Sequence, residues 1–232
     1  MNKYVLIVAG GKGLRMGGDL PKQFIPMRGK PLLMHTLEAF HRWDASARII
    51  LVLPEDHQLY WNMLCKEIGC KVPHAIVKGG DTRFFSVKNG LDWLLAERRR
   101  KGEEDSGLSL VAVHDGVRPF VSPEVVEACF DKAAVTGAVI PVVPMIDSLR
   151  ETDEKGSHPV DRSRYMAVQT PQVFLLELLT KAYEQPYSSL FTDDASVVEA
   201  MGHAIDTVPG DRENIKITTP FDLLIAEAMF AR

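Results

Sequence analysis

Five short runs, at 4–9, 49–53, 72–77, 108–113 and 138–143, are apolar along nearly their whole length rather than at every second position. A strand that is apolar on both faces must be covered on both, and a parallel sheet between two layers of helices provides that cover. The segments between them carry the helical period. Phe84, Val87, Leu91, Leu94 and Leu95 fall on one stripe, and 31–43, 56–68 and 123–134 read the same way. Ser122-Pro123 and Thr219-Pro220 each set a capping hydroxyl before a proline at the first helical position. The alternation predicts a doubly wound, mostly parallel α/β sheet, and the 232 residues are expected to form a single domain.

Two stretches break this rhythm. The charged run at 97–107 reads as a solvated helix end and loop. The stretch 145–168 is longer and polar, with Gly156 and Pro159 midway, and predicts an extended two-stranded arm leaving the main body. The formal net charge of −4 carries no basic stripe, so nucleic acid is not an expected partner, and any bound anion must be gripped by a local cluster. Three cysteines, Cys65, Cys70 and Cys129, show no metal-binding spacing and suit a reducing compartment. With no export signal and no long apolar run, the expectation is a cytoplasmic protein without a membrane partner.

The first strand runs into Ala9-Gly10-Gly11-Lys12-Gly13-Leu14-Arg15. Glycines let backbone N–H groups approach an anion, and a loop at the carboxyl end of a strand lies where open α/β sheets bind ligands. Met16 spoils a dinucleotide fingerprint, and Gly29-Lys30-Pro31 fails a P-loop. Arg15 in the loop and Lys22 in Pro21-Lys22-Gln23 add two cations, making a plausible triphosphate cradle. Three further loops share this sheet edge: Gly79-Gly80-Asp81-Thr82-Arg83 with Ser86 one turn later, His114–Pro119 as HDGVRP, and Asn214-Ile215-Lys216-Ile217-Thr218. An Asp after a central strand, here Asp115, can hold Mg²⁺, the usual companion of a triphosphate.

No Ser-His-Asp set, carboxylate pair or histidine cluster can be assembled from these loops, and His114 and the other histidines read as structural or exposed. Transfer onto a phosphate needs none of these. A phosphate monoester is mostly a dianion at pH 7 and already a nucleophile. The protein has to position two anions and offset charge growing on an α-phosphate, which Arg, Lys and a divalent ion do. The chain therefore reads as a nucleotidyltransferase acting on a small phosphorylated substrate.

The segments AGGKGLRM with PKQF, KGGDTRFFSV, VHDGVRPFV, VDRSRYMAVQTPQVF, FTDDASVVEAMG and NIKITTPFDLLIAE together resemble the 2-C-methyl-D-erythritol 4-phosphate cytidylyltransferases over nearly the whole chain. The resemblance implies a Rossmann-like nucleotidyltransferase fold, with CTP and a polyol phosphate as substrates and Mg²⁺ or another divalent cation as cofactor. It implies that Arg15, Lys22 and Lys216 stabilise the α-phosphate, and that Ala9, Gly10, Gly11, Gly13, Gly80, Asp81 and Ser86 bind the nucleotide. Asp115, Arg118, Ser148, Arg162, Thr170 and Thr192 then form the acceptor pocket. It also implies a homodimer in which the 145–168 arm crosses to the partner.

Three positions depart from the family pattern: Gly10 stands where alanine is usual, Gly116 where another small residue is usual, and Ser148 where threonine is common. A doubled glycine also suits ribitol-5-phosphate cytidylyltransferases, whereas the VDRSRY segment favours the erythritol enzymes. Two readings from other classes compete. A non-catalytic nucleotide sensor would tolerate loss of Arg15, Lys22 or Lys216, and a redox α/β protein would need the spacing that Met16 breaks.

Overall fold

In the computed structural model, which describes residues 1–10, 20–103, 107–154 and 156–231, all five expected strands form. In chain order the elements are β1 (Asn2–Val8), β2 (Pro26–Met27), β3 (Lys30–Pro31), α1 (Leu32–Trp43), β4 (Arg48–Leu53), α2 (Glu55–Ile68) and β5 (His74–Lys78). Next come α3 (Arg83–Lys101), β6 (Ser109–Asp115), α4 (Pro123–Thr136), β7 (Ala138–Pro144), β8 (Leu149–Asp153) and β9 (Gly156–Val160). The chain continues with β10 (Met166–Val168), β11 (Gln172–Leu175), α5 (Leu176–Ala182), α6 (Asp194–Glu199), β12 (Asp206–Pro209) and α7 (Pro220–Phe230). The strand expected from residue 72 begins at His74, because Pro73 has no N–H to give to a ladder.

The main sheet runs β10-β7-β11-β6-β1-β4-β5, with β12 also paired to β7. β1, β4, β5 and β6 are mutually parallel, and β10 and β11 run antiparallel to the strands they touch. Alternate residues of one strand face opposite cores, as the continuous apolar runs require. Val5 and Ile7 join α1, α2 and α4 residues such as Leu37, Trp61 and Phe130 on one face. Tyr4 and Leu6 join α3, α5 and α6 residues such as Leu91, Leu179 and Val197 on the other. Both expected caps are present: Ser122 accepts from the Val125 N–H, and Thr219 accepts from the Asp222 N–H within a capping box.

The arm is shorter than 145–168. β8 and β9 form an isolated antiparallel hairpin, whereas β10 returns to the main sheet against β7. β10 and β11 both pair with β7, but six residues from Val168 to Val173 face four from Val142 to Val139. The excess pushes Gln169 and Thr170 out of register beside the loop after β6. The charged run ends α3 with Arg99, Arg100 and Lys101 exposed, as read, but one member departs from the reading. Arg98 is buried, with its guanidinium donating to the Tyr4 hydroxyl at 3.0 Å and the Glu103 carbonyl at 2.9 Å. A long side chain on the last turns of α3 reaches back over the sheet edge instead of into water.

Candidate active site

A cleft of about 240 Å³ opens beyond the carboxyl ends of β1, β5 and β6. Ala9 and Gly10 line it from the end of β1, Lys22 from a 3₁₀ turn (Lys22–Phe24), Gly80 and Asp81 from the β5–α3 loop and Ser86 from the first turn of α3. Asp115 enters from the last position of β6 and Lys216 from the loop before α7. All eight were expected in one site on sequence grounds; Gly11, Gly13 and Arg15 lie outside the described residues. A larger opening, about 840 Å³, lies at the other end of β6 and is lined in part by Leu95, Leu108 and Leu176. It gathers none of the motif residues, so size does not select the site.

Main-chain hydrogen bonds hold the loops together. The Ala9 N–H donates to Val52, the Gly79 N–H to Leu53, the Gly116 N–H to Val8 and the Ile217 N–H to Val117. A side chain at Gly80 would meet the Phe85 Cβ at 2.4 Å, so only glycine permits this turn. At Gly10 the nearest atom to an added Cβ is the Ser86 hydroxyl at 3.9 Å, so the exchange of alanine for glycine there is sterically mild among the described residues. The Ser86 hydroxyl accepts from the Gly80 N–H at 3.1 Å and donates to the Thr82 carbonyl at 2.9 Å. It therefore shapes the nucleotide loop from within.

Asp115 is the electrostatic centre. Its Oδ2 lies 3.0 Å from the Lys216 ammonium and 3.2 Å from Arg118 Nε, and its Oδ1 lies 4.0 Å from Arg83 Nε. Burial pushes its carboxyl up, but Lys216, Arg83 and Arg118 together hold it well below the ordinary 3.8. With the folded-state value depressed, its contribution to stability is full above pH 3.8 and is lost as the pH falls below it. Among the described residues no group of three His, Cys, Asp or Glu side chains could cage a metal. Oδ1, the less engaged oxygen, suits the single carboxylate contact that Mg²⁺ makes when it also keeps waters and phosphate oxygens.

Behind Asp115 runs a chain that settles one histidine. The Asp115 N–H donates to Thr170 Oγ1 at 3.1 Å, that hydroxyl donates to His114 Nδ1 at 3.0 Å, and His114 Nε2–H donates to the Arg118 carbonyl at 3.0 Å. His114 is thus neutral and protonated on Nε2, as burial requires, its value being pushed down from 6.5 to about 4. The structural reading of His114 agrees with this position. Thr170, expected to touch the acceptor, spends its hydroxyl on this chain, and its carbonyl accepts from Asn214 Nδ2 at 2.8 Å. Arg118 likewise donates to the Asn214 carbonyl at 2.7 Å.

The other expected acceptor residues are not gathered here in a single chain. Ser148, Arg162 and Thr192 are exposed, and the Arg162 guanidinium donates to the Ile146 carbonyl at the base of its own arm. Arg83 was overlooked as a site residue although GGDTR contains it. It lines the cleft and makes a two-pronged pair with Asp194, at 2.9 and 2.5 Å, that Tyr183 completes with a 2.6 Å hydrogen bond. The signal was present, since the FTDDAS segment supplies the buried carboxylate.

Comparison with known proteins places these features in a family. The family model described as 2-C-methyl-D-erythritol 4-phosphate cytidylyltransferase matches residues 4–232. A protein of that name from Phocaeicola vulgatus is 56% identical over 229 residues, covering 99% of this chain and 100% of the relative. One from Bacillus licheniformis is 40% identical, covering 99% and 96%. The crystal structure of a 2-C-methyl-D-erythritol 4-phosphate cytidylyltransferase from Thermus thermophilus superposes with a TM-score of 0.74 at 32% identity, covering 100% of both chains. That of a 4-diphosphocytidyl-2C-methyl-D-erythritol synthase from Anaerococcus prevotii superposes with a TM-score of 0.79 at 28% identity, covering 100% of this chain and 96% of the other.

Proposed function

The chain belongs to the 2-C-methyl-D-erythritol 4-phosphate cytidylyltransferase family, and from that membership we propose that it transfers CMP from CTP to 2-C-methyl-D-erythritol 4-phosphate, releasing pyrophosphate. The observation that carries the reading is the convergence of Lys22, Lys216 and Asp115 on one cleft beside a glycine-rich turn. An oxygen of the acceptor's phosphate dianion attacks the α-phosphorus, the new P–O bond forms, and the bond to the β-phosphate oxygen breaks. No base is needed, because the attacking oxygen carries no proton at pH 7. Lys22 and Lys216, with Arg15 as third partner, offset the charge that grows on the α-phosphate oxygens. Asp115 would hold Mg²⁺ on Oδ1, and the ion, when bound, neutralises triphosphate charge. Gly80, Asp81 and Ser86 shape the base and ribose side. A main-chain carbonyl there accepts the cytosine amine, which uracil lacks. Pyrophosphate release that requires both CTP and the acceptor tests this reading. The three free cysteines and a CTP-consuming reaction fit the cytoplasm.

Arg162 and Ser148 belong, on this reading, to the acceptor site of a second copy, reached by the hairpin arm of a homodimer. Exposed Ile146 and Tyr165 beside the hairpin and Met166 on β10 support this, because neighbouring apolar side chains left uncovered gain by packing on a partner. A guanidinium on such an arm suits a phosphate through paired, charge-assisted bonds. Mixing inactive Arg162→Ala chains with inactive Lys22→Ala chains should restore activity. After random exchange, about half the dimers are hybrids with one intact site each, so about a quarter of wild-type sites return. A mixture as inactive as its parents after verified exchange would place each arm on its own subunit.

A further inference from the structure

Lys22 is held by what its two successors do. Gln23 is fully buried, and its Nε2 donates to the Ala9 carbonyl at 2.9 Å. The Ala9 carbonyl can only accept, so the amide nitrogen, not the oxygen, must face it. That orientation turns the same nitrogen's second hydrogen toward His57 Nδ1 at 3.3 Å, on the first turn of α2. Among the described residues the Gln23 Oε1 atom is buried without a partner, so Ala9 and His57 alone set the orientation of the amide. Phe24 is buried in a ring of His57, Tyr60 and Trp61, with centroids at 5.6, 5.2 and 6.2 Å. Trp61 is itself fixed by donating to His74 Nε2 at 3.0 Å, and His74 Nδ1–H donates to the Val72 carbonyl at 2.8 Å.

We infer that Gln23 is a positioning residue for the transfer reaction: its carboxamide clamps the Lys22 turn to the end of β1 and to α2, setting where the Lys22 ammonium stands over the cleft. The inference rests on the catalytic reading of Lys22 given above. Phe24 also anchors the turn against α2, but among the described residues it is the Gln23 amide that ties it to Ala9, the strand end that carries the glycine loop. Lys22 and the main chain of that loop must meet the same phosphate, so their relative placement matters more than the stability of either. A displacement of about 1 Å in such a group can cost about 100-fold in rate.

The test is a double-mutant cycle of Gln23→Met, which keeps the volume and removes the donor, with Lys22→Ala. Alone, Gln23→Met should lower kcat about 10- to 100-fold with the KM for CTP little changed. In the Lys22→Ala background the same change should cost less than about two-fold, because no ammonium is left to misplace. An equal loss in both backgrounds would show a structural role and overturn the inference while leaving Lys22 catalytic. A Lys22→Ala enzyme with unchanged kcat would overturn both readings, and the single variants distinguish the two cases. Should Gln23→Met fail to fold, His57→Ala on the half-exposed first turn of α2 runs the same cycle: a loss that vanishes beside Lys22→Ala supports the clamp, and one that persists overturns it.

Discussion

Replacing Lys22 with Ala is expected to lower kcat about 100- to 1000-fold while changing the KM for CTP far less. The expectation follows from where the charge appears. In the ground state the α-phosphate shares one negative charge between two oxygens, whereas the five-coordinate transition state concentrates more on the oxygens facing the protein. A fixed ammonium lining the cleft strengthens its attraction as that happens, so it acts mainly on the barrier. Lys216 stands 3.0 Å from Asp115, which offsets part of its charge. Its replacement should likewise fall mainly on kcat, and steady-state kinetics of the two variants compares them. A Lys22→Ala enzyme with normal kcat and a raised KM would make the residue a ground-state binder.

The largest stability effect is expected at Asp194. Its carboxylate is wholly buried and receives two prongs from Arg83 and one hydrogen bond from Tyr183. Asp194→Ala leaves a guanidinium and a phenol facing a low-dielectric space without their acceptor, and should cost about 3–5 kcal/mol in urea unfolding. The pair itself is worth far less than that, because burying two ions costs nearly what their attraction returns. Replacing both, as Arg83→Met with Asp194→Leu, should therefore recover most of the loss. Activity should not return with stability, because Arg83 also stands 4.0 Å from Asp115 inside the cleft. A single-variant loss below about 1 kcal/mol would contradict the account of this pair.

The parallel half of the fold was legible because burial on both faces leaves a simple mark, an unbroken apolar run, and β1, β4, β6 and β7 carry it, while the partly exposed edge strand β5 keeps it only over 75–77. β11 and β12 were not, because four-residue strands on an edge or after a break show too few positions for a period to emerge. The arm was read from its polarity, but its return was missed: Met166–Val168 is apolar yet only three residues long, too short to show a period until β7 is there to pair with it. In the site, the residues that line the cleft were found from glycines and cations at strand ends. The pairings that support them were overlooked. Thr170, Gln23 and Asp194 are polar side chains whose partners lie 11 to 111 positions away, and such pairings leave no local pattern.

That this cleft moves a cytidylyl group onto the phosphate of 2-C-methyl-D-erythritol 4-phosphate is tested by initial rates of pyrophosphate release with CTP or UTP, each paired with that acceptor or with ribitol 5-phosphate. The predicted result is fast release only with CTP and the methylerythritol phosphate. With UTP, kcat/KM should fall at least about 100-fold, because a site built to accept the cytosine amine leaves its own carbonyl unpaired against uracil. Faster turnover with ribitol 5-phosphate, or comparable kcat/KM for both nucleotides, would contradict it.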